Sequence, residues 1–84
     1  MSQKLQCKIW SLKEKLFEGE IDSITYPNID LGPTTILKDH IATVGLIKKG
    51  KLKYQANDEL QSLEVSKGII HVEKNQVVVL LMPS

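Results

Sequence analysis

Apolar and polar residues alternate along most of this chain with a period of two. Near the N-terminus Leu5, Cys7 and Ile9 are spaced two apart, and the same alternation returns over residues 20–26 and 52–56. Successive side chains of an extended strand point to opposite faces, so this spacing predicts strands with one buried face. No segment repeats its apolar residues at the helical period of 3.6. The pattern therefore predicts an all-β fold.

The stretch after the first strand carries both turn and strand signals. Gly19 is interpreted as a turn that separates an apolar pair, residues 16–17, from a strand at residues 20–26. Pro27 lacks an N–H donor and is predicted to end that strand. Phe17 is the only phenylalanine of the chain, and its size predicts a place in the core.

Further short strands are predicted where apolar, β-branched segments lie between turn residues. Residues 27–33 contain two prolines and a glycine and are interpreted as the longest irregular segment, while residues 48–51 are interpreted as a hairpin turn. Gly45 marks a bulge or the close approach of another backbone. The apolar run at residues 77–82 predicts a strand that is buried on both faces. The remaining strands are predicted at residues 34–37, 41–47, 60–65, 69–72 and 77–82.

Strands thus recur about every ten residues, which is typical of a β-sandwich or a β-barrel. Neither an internal repeat nor a linker divides the sequence, so we expect a single domain over residues 1–84. A domain of this size buries roughly 60–65% of its unfolded surface. It has little room for a deep enclosed pocket.

Composition and charge narrow the possible functions. The hydrophobic fraction of 42% and the charged fraction of 25% are those of a globular domain. The sequence contains eleven lysines, no arginine and ten carboxylates, so the net charge is only +1. A chain without arginine lacks the planar group that binds phosphates and guanine edges in a bidentate way, which argues against nucleic-acid recognition. The apolar run at residues 77–82 is too short to span a bilayer.

Residues with catalytic or metal-binding chemistry are few. His40 and His71 are the only histidines, and Cys7 is the only cysteine, so no cluster has the spacing of metal ligands. Cys7 is expected to be a small buried hydrophobic residue. Ser23, His40 and Asp39 supply the residue types of a hydrolase triad, but no nucleophile elbow accompanies them. We therefore expect no catalytic residue, no metal and no cofactor.

Two groups of charged residues are open to more than one interpretation. Glu18, Glu20 and Asp22 alternate along one strand, and a solvated strand face is favoured over a pair of catalytic carboxylates. Residues 48–53 contain four lysines, which either protect a hairpin from edge pairing or form a patch for RNA, anionic lipid or an acidic protein loop.

Trp10 and Tyr54 could stack on bases, and together with the lysines of residues 48–53 they define an alternative function. In that alternative the chain is a small β-barrel that binds single-stranded nucleic acid. Such surfaces usually carry more aromatic residues and more positive charge than this sequence offers, so packing or a protein interface is favoured for both rings. A steep decrease of binding with salt would identify the nucleic-acid alternative.

Four segments resemble the epsilon subunit family of F-type ATP synthases. The match begins with Leu-Phe-Glu-Gly-Glu-Ile-Asp-Ser-Ile at residues 16–24 and continues with Ile-Leu-Lys-Asp-His at residues 36–40. It includes Ile-Lys-Lys-Gly-Lys-Leu at residues 47–52 and the segment from Gly68 to Leu80. The order and spacing follow the family over nearly the whole chain. Differences include lysine in place of a usual proline at position 38 and Gly-Pro in place of Gly-Glu at residues 32–33.

This resemblance implies a β-sandwich of two five-stranded sheets, with about ten short strands. It also implies a non-catalytic rotor subunit at the foot of the central stalk, which binds the gamma subunit and the ring of c subunits and helps couple ion translocation to ATP synthesis. Many family members continue into a two-helix C-terminal domain associated with inhibition of ATP hydrolysis. This sequence stops before that domain, so we expect either a naturally short member or a truncated one, and in both cases a chain without this form of inhibition.

The resemblance also implies positions for contacts and a location. The expected location is the cytoplasmic face of a bacterial inner membrane, or its organellar equivalent, with membrane association only through the complex. For His40 an equally favoured interpretation is a turn histidine that is hydrogen-bonded to its own loop. The residues implied are Ser11 and His40 for gamma, and Asp30, Leu31, Gly32, Pro33 and Thr34 for the c ring.

Overall fold

The computed structural model describes residues 4–83, and all of their regular secondary structure is β-strand. The all-β prediction is confirmed. The nine strands are β1 (Leu5–Ser11), β2 (Lys15–Ile21), β3 (Ser23–Asn28), β4 (Gly32–Leu37), β5 (Thr43–Ile47), β6 (Gly50–Ala56), β7 (Glu59–Val65), β8 (Lys67–Glu73) and β9 (Gln76–Met82).

Strand pairing divides the fold into two layers. The five-stranded layer has the order β2-β1-β9-β8-β5, and the four-stranded layer has the order β4-β3-β6-β7. Only β1 and β9 are parallel; the other pairs are antiparallel. The layers join where Asn28 of β3 pairs with Ile47 of β5. The prediction of five strands in each sheet is therefore wrong for one sheet, which has four.

The first corner of the chain lies at Asp22 and not at Gly19. Gly19 is inside β2, opposite Cys7 of β1, while the N–H of Asp22 donates to the carbonyl of Gln55 at 2.7 Å as the chain changes layers. The strand that follows does not stop at Pro27, because Pro27 pairs with Pro33 of β4. A proline needs no donor at a strand position that makes no ladder hydrogen bond. Gly19 and Pro27, which were predicted to bound the strand, are therefore both paired residues inside strands.

The lysine-rich connection between β5 and β6 is also not a hairpin. Strand β3 lies between β5 and β6, and the N–H of Lys48 donates to the carbonyl of Pro27 at 2.9 Å. The predicted hairpin at residues 48–51 is therefore wrong, and this segment carries the chain from one layer to the other. Turn residues indicate that a strand ends, but they do not specify which strand pairs next.

Strand β9 has one buried face and one exposed face. Val77, Val79 and Leu81 are buried, whereas Val78 and Leu80 are exposed to 42% and 36%. The prediction that this strand is buried on both faces is wrong. Each layer of a sandwich covers only one side of its partner, so the alternate residues of an entirely apolar strand must face outwards.

The core between the layers is apolar, and it contains the thiol of Cys7, as expected. Burial raises the pKa of this thiol to about 12. Phe17 is only partly buried, and its ring packs against that of Tyr54 with centroids 4.5 Å apart. Burial also raises the pKa of Tyr54. The buried hydrophobic residues are Leu5, Cys7, Ile9, Ile21, Ile24, Tyr26, Ile36, Ile47, Leu52, Tyr54, Val65, Ile70, Val72, Val77, Val79 and Leu81.

Candidate docking surfaces

The outer side of the five-stranded layer carries a row of large apolar side chains. Trp10 of β1 lies opposite Leu80 of β9, Leu80 lies opposite Ile69 of β8, and Ile69 lies opposite Leu46 of β5. Trp10 is 41% exposed and Leu46 is 53% exposed. Four neighbouring strands thus present one continuous apolar row to solvent.

A second apolar row lies beside the first, two residue pairs further along the strands. Val78 of β9 is opposite His71 of β8, which is opposite Val44 of β5. Val44 is 69% exposed, and the His71 side chain is also exposed. We call the two rows together the apolar face. It comprises Trp10, Val44, Leu46, Ile69, Val78 and Leu80, with His71 among them.

Charged groups border the apolar face on the β1 and β2 side. Lys15 pairs with Glu18 at 2.7 Å, and its ammonium group lies 5.9 Å from the centre of the Trp10 ring. The hydrogen bond from Lys15, with its positive charge, lowers the pKa of Glu18. The amide of Gln6 donates to Glu20 at 3.1 Å. The strand carboxylates are solvated and paired with neighbours, as the favoured interpretation expected.

Ser11 stabilises the turn at the end of β1. Its hydroxyl oxygen accepts hydrogen bonds from the backbone N–H of Lys13 at 3.2 Å and of Glu14 at 3.1 Å. Ser11 also lies opposite Leu81 of β9, one residue beyond the Trp10 and Leu80 pair. The side chain thus has a local structural role at the end of β1, on the side of the strand that carries the buried Cys7 and Ile9.

His40 lies at the other end of the five-stranded layer. Its Nδ1–H donates to the carbonyl of Ile41 at 2.8 Å. This bond agrees with the interpretation of His40 as a turn histidine that is hydrogen-bonded to its own loop. The backbone N–H of Asp39 donates to the Asn75 side chain at 2.6 Å, and the Asn75 amide donates to the Asp39 carboxylate at 3.1 Å. These bonds hold the His40 loop against the turn between β8 and β9. The fold therefore does not bring Ser11 and His40 together.

The segment expected to meet the c ring forms the tip of the hairpin between β3 and β4. The side-chain oxygen of Asn28 accepts from the N–H of Asp30 at 2.8 Å and of Leu31 at 3.2 Å, and Gly32 has a φ of +76°. These bonds make a tight turn in place of the long irregular segment that was predicted. Leu31 is 75% exposed, and Asp30 is exposed beside it. Gly32, Pro33 and Thr34 already belong to β4.

Lys51 and Lys53 of β6 face outwards from the four-stranded layer, on the opposite side of the molecule from Trp10, and Lys48 and Lys49 are exposed in the segment before β6. Tyr54 is only 7% exposed and packs in the core. The two aromatic residues and the lysines therefore share no surface. This arrangement contradicts the alternative of a single-stranded nucleic-acid-binding barrel, which needs rings and cations along one path.

Other candidate chemistry does not assemble within residues 4–83. No three His, Cys, Asp or Glu side chains of this range lie close enough together to hold a metal ion. The His40 ring is bonded to Ile41 and the Asp39 carboxylate to Asn75, so Ser23 is not linked to them as a triad would be. No helix in the described range is long and apolar enough to cross a membrane.

Of the apolar face, sequence reasoning singled out only Trp10, for which packing or a protein interface was favoured. The other members of the face occur within runs such as residues 41–47 and 77–82, which contain apolar residues at both odd and even positions. A run of this kind was attributed to burial on both sides. The signal that could have identified the face is the coincidence of such runs with Trp10, a residue enriched at protein interfaces.

Comparison with known proteins gives the family. Residues 4–82 match the family described as ATP synthase, Delta/Epsilon chain, beta-sandwich domain. The chain is 35% identical over 77 residues to the ATP synthase epsilon chain of Psychrobacter arcticus, covering 90% of this chain and 55% of that one. It is 35% identical over 81 residues to the epsilon chain of Dichelobacter nodosus, covering 95% and 56%. The chain thus spans about half the length of these curated relatives.

Solved structures with the same fold are components of ATP synthases. A chain of the Euglena gracilis mitochondrial ATP synthase, OSCP/F1/c-ring, matches with a TM-score of 0.88 and 18% identity over 96% of this chain and 52% of that chain. A chain of the Tetrahymena thermophila mitochondrial ATP synthase central stalk and c ring matches with a TM-score of 0.78 and 17% identity, covering 98% and 66%. These likenesses show the fold. Because the family match spans nearly all of the sequence, this chain belongs to the beta-sandwich domain family of ATP synthase delta and epsilon chains.

Proposed function

We propose that this chain is a non-catalytic part of the rotor of an F-type ATP synthase, and that it binds the gamma subunit through the apolar face. The observation that carries the proposal is the continuous row from Trp10 to Leu46 on a domain of this family. Monomeric soluble proteins rarely expose large contiguous apolar patches, and such patches mark sites where another protein binds. A rotor component needs this kind of broad, rigid surface.

Gamma-subunit contacts at Ser11 and His40 fit the same surface. Ser11 lies at one end of the five-stranded layer, next to Trp10, and the His40 loop lies at the other end, next to the turn between β8 and β9. A partner that covers the apolar face would reach both ends. In this arrangement the large apolar side chains supply most of the binding energy, and Ser11 and His40 lie at the polar rim, where contacts contribute less.

Substitution of Leu80 tests the proposed gamma surface. Leu80→Glu places a carboxylate in the centre of the apolar face, so we expect affinity for the gamma subunit to fall at least tenfold while the thermal midpoint of the domain is preserved. Titration calorimetry with the gamma subunit gives the affinity. Leu60→Glu is the matched control, because Leu60 is 64% exposed on the four-stranded layer. Equal loss of affinity in both variants, or in neither, would contradict the assignment.

We place the contact with the c ring at the hairpin tip formed by Asp30, Leu31, Gly32, Pro33 and Thr34. The tip is exposed and is held in shape by two hydrogen bonds to Asn28, so it presents Asp30 and Leu31 without needing to become ordered on binding. This contact would hold the chain at the membrane surface, on the cytoplasmic face of a bacterial inner membrane or its organellar equivalent.

Charge reversal at the tip tests this contact. Asp30→Lys is expected to weaken the coupling of proton flow to ATP synthesis in membranes that contain the complex, without unfolding the domain. The rate of ATP synthesis is measured against respiration-driven proton uptake. Glu59→Lys is the control, because Glu59 is exposed in β7, away from the hairpin. Normal coupling with Asp30→Lys, or the same defect with Glu59→Lys, would exclude the tip as the contact.

A further inference from the structure

The outer side of the four-stranded layer contains a groove of about 310 Å³ that three lysines border. Lys51 and Lys53 alternate along β6 and point to the same side, and Lys48 reaches the groove from the segment that joins β5 to β6. Two prolines of the hairpin form its apolar floor, since Pro27 and Pro33 pair across β3 and β4. We call this the lysine groove. Its lining includes Thr25, Pro27, Pro33, Lys48, Lys51 and Lys53.

The positive charge of the lysine groove is not balanced within the chain. Among the described residues, the ammonium groups of Lys48, Lys51 and Lys53 have no ion pair or hydrogen bond. Glu64 lies opposite Lys51 but makes no ion pair with it, and it is the only carboxylate on this outer strand face. Outside residues 48–53 the chain contains seven lysines and ten carboxylates, so the rest of the chain has a net charge of −3. The groove is therefore a positive site on an otherwise negative molecule.

Exposed apolar side chains accompany these lysines. Leu37 and Leu60 are 58% and 64% exposed on the same outer face, and Leu31 projects at the adjoining hairpin tip. The face has no arginine and no exposed aromatic ring, which excludes bidentate phosphate recognition and base stacking. Compact ammonium groups interspersed with aliphatic side chains complement a layer of anionic lipid headgroups above acyl chains.

We propose that the lysine groove binds the headgroups of anionic phospholipids, so that this chain contacts the membrane surface directly. The proposal goes beyond binding to gamma and the c ring, neither of which requires lipid. It agrees with the hairpin contact proposed above, because Pro27 and Pro33 of the groove belong to the hairpin that carries Asp30. Each lysine near an anionic surface strengthens membrane binding about fivefold, so three of them give measurable binding.

Sedimentation with vesicles tests the proposal. The chain is mixed with vesicles of phosphatidylcholine alone, or with equal parts of phosphatidylglycerol, at 50 mM and 300 mM salt. We expect binding only to the anionic vesicles, weaker at high salt, and at least tenfold weaker for the triple variant Lys48→Gln, Lys51→Gln, Lys53→Gln. The control triple variant Lys13→Gln, Lys67→Gln, Lys74→Gln has the same net charge and changes three exposed lysines elsewhere. It is expected to retain most of the binding.

Several results would overturn the proposal. Equal loss in both triple variants would show a general charge effect, and failure of the unsubstituted chain to bind anionic vesicles would exclude lipid. If inorganic phosphate or ATP shifts the NMR signals of Thr25 and Lys51 while vesicles do not bind, the ligand is a free phosphate. If the groove variant loses affinity for the gamma subunit or the c ring in detergent, the occupant is an acidic protein segment. Leu80→Glu is expected to retain vesicle binding, although it loses affinity for the gamma subunit. Failure of the lipid proposal can therefore be distinguished from failure of the proposed gamma surface.

Discussion

At the scale of single residues, Gly45 shows how closely the two layers approach. A Cβ atom built on Gly45 would lie 2.5 Å from the hydroxyl oxygen of Tyr26 and 3.1 Å from a methyl carbon of Ile70. The prediction of a bulge or of another backbone close to Gly45 is wrong, because the pairing of β5 with β8 is regular and the atoms that approach belong to side chains. The side-chain amide of Asn28 donates to the same Tyr26 hydroxyl at 3.0 Å and holds it there. No larger residue fits at position 45 unless this hydroxyl moves.

Substitution of this glycine gives a test at the residue scale. Gly45→Ala is expected to destabilise the domain by about 1–3 kcal/mol, because the added methyl overlaps the Tyr26 hydroxyl. The free energy of unfolding in urea measures the effect. In a Tyr26→Phe background the same change is expected to cost less, since the overlapping oxygen is absent. Gly19→Ala is the control, because a Cβ at Gly19 meets Phe17 at an ordinary 3.4 Å.

Two results would contradict this account of Gly45. One is a cost for Gly45→Ala that is as small as that for Gly19→Ala. The other is an equal cost for Gly45→Ala with and without the Tyr26 hydroxyl, which would assign the effect to the contact with Ile70 instead.

At the scale of elements, β9 shows that an apolar sequence does not by itself define which face is buried. Val77, Val79 and Leu81 enter the core, and Val78 and Leu80 face solvent, although all five are apolar. Strands β1 and β6 were easier to interpret, because polar residues mark their outer faces. The turn between β2 and β3 was misplaced because Gly19 is a common turn residue, whereas the observed corner at Asp22 depends on a hydrogen bond to Gln55 in another strand.

The same substitution is expected to have different effects on the stability of the domain on the two faces of β9. Val79→Thr buries a hydroxyl in the apolar core and is expected to cost about 1–3 kcal/mol of unfolding free energy. Val78→Thr makes the same chemical change on the exposed face and is expected to alter stability by less than about 0.5 kcal/mol. Thermal unfolding of both variants followed by circular dichroism measures the difference. Equal costs would indicate that β9 is covered on both sides.

At the scale of the whole molecule, the two outer faces of the sandwich differ in chemistry. The five-stranded layer presents the apolar face, and the four-stranded layer presents the lysine groove. One side is therefore suited to a protein partner, and the other to an anionic surface. The hairpin tip with Asp30 extends from the corner where the two layers join, since Asn28 pairs with Ile47 there.

The exposed apolar face predicts self-association of the isolated chain. Without a partner, contacts between two apolar faces would remove Val44, Leu46 and their neighbours from water, so we expect the sedimentation coefficient to increase with protein concentration. The double variant Val44→Lys, Leu46→Lys is expected to remain monomeric over the same range. A control with Leu37→Lys and Leu60→Lys, on the other layer, should associate like the unsubstituted chain. A chain that is monomeric at every concentration would contradict this expectation.

The sequence by itself determined the all-β class, the approximate strand positions, the burial of Cys7 and the family resemblance. These properties follow from the alternation of neighbouring residues and from short local segments, which a linear chain displays directly. It did not determine that β3 lies between β5 and β6, that Asp22 is the corner, or that Tyr54 is buried while Trp10 is exposed.

Only the tertiary structure decided which residues form surfaces. Trp10, Val44 and Leu80 are distant in the sequence, and strand pairing brings them to one side of the five-stranded layer. The lysines of β6 border a groove because Pro27 and Pro33 of other strands lie beside them and form its floor. Local patterns encode which side of a strand is apolar, but the assignment of that side to core or solvent depends on which layer covers it.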